Sequence, residues 1–226
     1  MPCPPAFLSR PSVLFFLAFA YASTGMAFDG EPIVKKMEAA FERLKDYQTN
    51  VEVRTYGSDG SFQTEKFLYT FKKPKRIRLD LQSPHSGMIL IYPGKNGKVT
   101  VQPSGLPHLF ALNLGPDNRL LVQSSGQQID QTDVGLLIEN ITHSLTDQRR
   151  GPVDITEEGG SVRIRVPAAN HFRGDMVTLY RFFIDDTLWL PVRVEESTSD
   201  GHLERSITFG NLKIDVGVQD TFFQLN

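Results

Sequence analysis

The 226-residue chain predicts an α+β, mostly β fold: a strongly curved antiparallel sheet, an incomplete barrel, covered by an N-terminal helix and a mid-chain helical segment. Three observations lead there. Apolar residues recur with period two in two long runs, over 49–103 and again from 162 onward, each punctuated by Gly and Pro turns. Two other segments, 32–46 and 132–146, repeat at helical spacing instead. Several strands are also apolar on both faces, which a sheet with one wet side does not need.

The N-terminus reads as a leader. Arg10 is the only charged residue before Asp29, and the apolar run Val13 to Ala20 is too short to span a bilayer as a helix. Gly25 and Ala27 fit the small-residue positions ahead of a signal-peptidase cut. Residues 1–27 are therefore expected to be a cleaved signal peptide, and 28–226 one exported domain in a bacterial periplasm. Cys3, the only cysteine, would leave with the leader, so the domain must be held by its core.

The helix expected at 32–46 starts at Pro32, which suits a first helical position, and places Ile33, Met37, Phe41 and Leu44 on one face. Strands follow. Val51, Val53 and Thr55 alternate up to a Gly57–Gly60 turn, and Phe67, Tyr69 and Phe71 alternate up to Pro74. Ile77, Leu79 and Leu81 stop at Pro84, Met88 to Tyr92 is apolar throughout, and Val99 and Val101 close the set at Pro103. Such spacing of strands and turns predicts a meander. Residues 103–131 break the rhythm with scattered leucines before the second helix, which carries Val134, Leu137, Ile138, Ile141 and Leu145. A second meander runs through Val162–Val166, Met176–Ile184, Leu188–Val194 and Leu203–Phe209 to a last short strand near Leu212. Pro191 marks an edge or a bulge. Phe67–Tyr69, Met88–Tyr92 and Phe182–Ile184 offer apolar groups to both faces, so the concave side is filled either by core side chains or by a guest.

Composition and motifs narrow the chemistry. With 24 basic and 26 acidic residues the chain lacks the basic surplus of a nucleic-acid binder. His85, His108, His143, His171 and His202 are scattered, and there is no glycine-rich phosphate loop and no metal-ligand spacing. No catalytic, metal or cofactor residue is assigned, and no enzyme is expected. Adjacent carboxylates such as Glu195-Glu196 point to opposite faces of a strand, which makes them poor acid–base couples. The basic run Lys72 to Arg76 is the one concentrated charge. It suits either an anionic headgroup or a solvated strand end.

The order of elements resembles the LolA/LolB-like superfamily of periplasmic lipoprotein carriers. The segment Phe67-Leu68-Tyr69-Thr70-Phe71-Lys72-Lys73-Pro74-Lys75-Arg76-Ile77-Arg78 is similar to that family's strand ending in a basic residue and proline. The hairpin from Phe183 to Val194 and the ending from Phe209 to Phe223 are similar too. Gly87 to Lys98 resembles, more nearly, an uncharacterised family of exported bacterial LolA-like proteins. The resemblance implies a half-barrel over an apolar cavity and a monomer that holds lipid or lipoprotein acyl chains, with a membrane transport component as a further partner. It implies wall residues Phe67, Tyr69, Phe71, Ile77, Leu79, Leu81, Ile89 and Ile91, and lid residues Leu106, Leu109, Phe110 and Leu112. In the carrier an arginine before the proline latches the lid; here Lys73 stands there, without the planar fork of a guanidinium. The alternative function is a sensory or scaffolding module of the envelope that binds a protein partner.

Overall fold

A computed structural model describes residues 29–107, 110–121, 126–147, 151–174 and 176–225. The expected signal peptide, 1–27, lies outside the described residues. Helix α1 spans Glu31–Arg43. It stops three residues short of the expected end because Leu44 turns extended and is buried, while the Lys73 amide donates to the Lys45 carbonyl at 2.9 Å. That bond draws the chain into β1, Asp46–Tyr56.

Five more strands complete the first meander: β2 (Phe62–Lys72), β3 (Arg76–Ser83), β4 (Ile89–Tyr92), β5 (Val99–Gln102) and β6 (Leu112–Leu114). Helix α2 (Val134–Thr146) follows, then β7 (Asp154–Glu158), β8 (Ser161–Ala169), β9 (Val177–Asp185), β10 (Pro191–Ser197) and β11 (Leu203–Ile214). All eleven form one antiparallel sheet in the order β6-β5-β4-β3-β2-β1-β11-β10-β9-β8-β7, not closed into a barrel. The mostly β, open-sheet expectation therefore holds. The details differ for three strands, and one open alternative is settled. Strands β6 and β7 carry too few apolar residues to announce themselves, since each is an edge strand with one neighbour. The short strand expected near Leu212 is the end of β11, carried along its pairing with β1. Pro191 lies in an interior strand, and the register shifts beside it, so the bulge reading is the right one.

The two helices lie on the concave face. Asp133 caps α2 by accepting from the Leu136 amide at 3.0 Å. Gly135 sits where the helices cross: a Cβ there would lie 2.5 Å from the Phe41 ring. Helix α2 packs on β8 and β10, so the helices cover the half of the sheet built from β1 and β8–β11.

On the convex face the C-terminal segment is strapped down. Asp46 accepts from the Gly217 and Val218 amides, each at 3.2 Å. Lys72 donates to the Val218 carbonyl and Asp220, and Arg78 to the Phe222 carbonyl at 2.8 Å. Val218 and Phe223 then bury Ile91 in a small second core. The basic run is thus occupied by the protein itself: Lys72 and Arg76 pair with Asp220, and Arg78 with Asp80. Truncating Phe223→Ala removes most of this second core and is expected to cost about 3 kcal/mol. Urea unfolding measures it; a midpoint equal to that of the unaltered protein would show that the strap adds nothing.

Candidate functional site

Register decides which side chains face the concavity. Phe67 pairs with Leu81, Tyr69 with Leu79 and Phe71 with Ile77, and across the next ladder Leu79 meets Leu90 and Ile77 meets Tyr92. These residues share the inner face. Ile89 and Ile91 pair with Asp80 and Arg78 and so face the convex side, beneath the C-terminal strap. Placing them on the inner wall was an error of one residue of parity, the error an all-apolar strand invites. Leu90 takes their place.

At one end of the inner face an aromatic stack closes the concavity. Tyr47 stacks on Tyr69 and on Phe71, with centroids 5.7 and 5.1 Å apart. The Tyr47 hydroxyl accepts from the Val134 amide at 3.1 Å, and the Tyr69 hydroxyl meets Thr132 Oγ1 at 3.2 Å. Burial pushes both phenols above their ordinary range, so they stay neutral donors and acceptors. Phe71 and Ile77 are fully buried here and line no open space. Lys73 lies at the same end. It donates to the Phe41 and Glu42 carbonyls at 2.8 and 2.9 Å, 4.7 Å from the Phe41 ring. The expected latch residue therefore holds the C-terminus of α1, in the manner of a cation on a helix end.

Under α2 the concavity is nearly full: about 60 Å³ remains, room for a few waters and no chain. Beside it, over β2–β6, a trough of about 490 Å³ is left open. Its floor is Phe67, Leu79, Leu81, Leu90 and Val101, with Met88, Leu112 and Leu114 along the side. Leu120, Leu121 and Ile129 cover it, and Ser83, Pro84 and His85 stand at its mouth. Of the described residues of the expected lid, Leu112 borders this space and Leu106 and Phe110 do not. Gln102 Nε2 donates to the Leu106 carbonyl at 2.6 Å, which folds the 103–107 turn back over the strand end, and Leu106 and Phe110 are exposed. Leu109 lies outside the described residues. The cover comes from Leu120, Leu121 and Ile129 instead, in a stretch where the sequence shows isolated apolar residues without a period.

The other wall of the concavity is polar. Glu196 and Arg205 pair across β10 and β11, with Nη1 3.7 Å from Oε1, and both are buried. Burial raises the Glu196 carboxyl, which the facing Arg205 partly opposes, and burial lowers the Arg205 guanidinium. Neighbouring Glu195 faces the convex side, bridged to Arg181 and Arg193. Arg205 was not among the expected site residues; it falls in step with Ile207 and Phe209, and a charge on an apolar parity is the signal that marks it.

Among the histidines, His171 Nε2 lies 2.9 Å from Ser144 Oγ on α2, and its ring stacks on Tyr180 at 4.5 Å. Ser144 is buried and its hydroxyl also lies 3.0 Å from the Asn140 carbonyl, so the pair ties α2 to the sheet. No group of three or more metal-ligating side chains occurs among the described residues.

No family model matches this sequence, and no curated protein matches it. Solved structures do. MucB is 14% identical with a TM-score of 0.50 over 88% of this chain, which spans 63% of MucB; a complex of MucA and MucB from Pseudomonas aeruginosa is also similar, at 13% and 0.48 over 88% of this chain and 61% of that one. A LolA superfamily protein from Nitrosomonas europaea is 11% identical, TM-score 0.43, over 88% of this chain and 99% of that one. A DUF1329 family protein from Desulfovibrio piger is 10% identical, TM-score 0.49, over 86% and 95%. At these identities the likeness is one of fold alone.

Burial lowers the His171 pKa to about 4, from an ordinary 6.5. The unfolded chain therefore takes up the proton first as pH falls. The stability from a neutral His171 is complete above about pH 6.5 and is lost on the way to pH 4. Between pH 7.5 and 4.5 the unfolding free energy is expected to drop by up to about 3 kcal/mol from this group. In His171→Gln that drop should shrink; an identical pH dependence in the two proteins would show that the imidazole is not the titrating group.

Proposed function

We propose that this is a non-enzymatic binding protein of the bacterial envelope, exported by its N-terminal leader, that shelters the acyl chains of a lipid or lipoprotein in the trough over β2–β6. The observation that carries the reading is the trough itself. Its volume falls within the roughly 300–1,000 Å³ typical of small-molecule sites, and its lining is mostly apolar, with Glu65, Ser83, His85 and Thr132 as the polar members. Each methylene moved from water into such a space contributes about 0.8 kcal/mol, so a chain of ten contributes about 8 kcal/mol before the cost of ordering it. The LolA-like fold supports a binding role without naming the cargo. Phe67, Leu79, Leu81 and Leu112 would contact the chain; Tyr69, Phe71 and Ile77 would hold the closed end.

Protein recovered from a bacterial envelope and extracted for mass spectrometry is expected to release acyl lipid and to bind a fluorescent fatty acid afterwards. Leu81→Trp, which fills the trough, should weaken that binding roughly tenfold or more while the unfolding midpoint holds. An extract without lipid, together with no binding of the fatty acid, would defeat the proposal.

One observation favours a second reading, a module that docks a protein partner: the concavity under α2 is already filled by its own side chains. A stoichiometric protein partner recovered with no lipid would select it.

A further inference from the structure

Strand register sorts the loops into two ends. One end holds the aromatic stack and the turns at 73–75, 93–98 and 186–190. The other holds the connections 57–61, 84–88, 103–111, 170–176 and 198–202. The trough opens toward this second end, since Pro84, His85, Met88 and Pro103 belong both to its lining and to those connections.

The two ends differ in chemistry. Nine large apolar side chains are exposed among the described residues, and six of them, Phe62, Leu106, Phe110, Leu112, Met176 and Val177, lie at or beside the open end. Ile214 and Val216 lie at the opposite end. The charges run the other way. The turns at 73–75, 93–98 and 186–190 bring Lys73, Lys75, Lys95 and Lys98 against one acid, Asp186, whereas the described residues of the five connections at the open end include one arginine, Arg173, no lysine, and the acids Asp59 and Asp200. Soluble proteins seldom leave their apolar side chains gathered on one charge-poor surface unless something covers it. Aromatic side chains on loop tips suit the headgroup boundary of a bilayer, where the ring leaves water without a full span. A slightly acidic rim gains nothing from an anionic surface.

We infer that the open end is a membrane-contact surface that inserts its apolar tips into a zwitterionic lipid layer. The basic end then faces away from that layer. The contact is made by the rim and does not depend on what the trough holds, though it would let a hydrocarbon pass between layer and trough without crossing water.

The test is sedimentation with vesicles of phosphatidylcholine and phosphatidylethanolamine, using protein recovered from the envelope. The unaltered protein should sediment with them equally at low and high salt. Replacing Phe62→Ser together with Phe110→Ser should weaken binding roughly tenfold or more; Met176→Ser gives an independent, smaller loss. Ile214→Ser at the far end should leave binding unchanged, and so should Leu81→Trp, which separates this contact from occupancy of the trough. Three results would overturn the inference. One is no sedimentation at all. Another is binding that requires phosphatidylglycerol and disappears in salt, which would put the basic end on the membrane. The last is an equal loss in Ile214→Ser.

Discussion

Everything on the concave side follows from where α2 is fastened. The Tyr47 hydroxyl on the Val134 amide and the Tyr69 hydroxyl on Thr132 fix the start of that helix over the centre of the sheet. Both phenols are buried, Tyr47 stacked between Tyr69 and Phe71, so water does not compete for either bond. From that anchor α2 runs across β8 and β10 and fills one half of the curve. The other half receives no helix. An open sheet of eleven strands is wider than two short helices can cover, and the trough is the remainder.

The asymmetry also accounts for the polar wall. Glu196 and Arg205 lie together under the filled half, where each offsets the other's desolvation. A buried pair of this kind contributes little net stability, because the cost of drying two charges consumes most of their attraction. Its presence sets the filled half apart from the more apolar trough over β2–β6.

Much of this was legible in the sequence because period two is a strong signal wherever one face is wet. Phe67, Tyr69, Leu79 and Leu81 alternate in the sequence, and the ladder between β2 and β3 puts them on one face. Legibility failed where the alternation did. Met88 to Tyr92 is apolar at every position, so nothing local distinguishes Leu90 from its neighbours; only pairing with Arg78 and Asp80 puts Ile89 and Ile91 outside. The cover of the trough was illegible for a different reason. Leu120, Leu121 and Ile129 belong to irregular backbone, whose direction depends on single hydrogen bonds such as Gln102 to Leu106. The basic run was ambiguous because its partners, Asp220 and the Val218 and Phe222 carbonyls, are some 140 residues further along the chain.

The centre of the sheet is the seam between β1 and β11, the first and last strands of the chain. Each meander can pair its own hairpins as it emerges, yet the two remain separate sheets with raw edges until residue 214 has been made. Closing that seam joins residues 150 to 167 positions apart, a loop whose entropy must be surrendered before any contact repays it. The molecule is therefore assembled from two halves that wait for its final strand, and a chain stopped short of β11 would expose β1 and β10 to whatever strand came first.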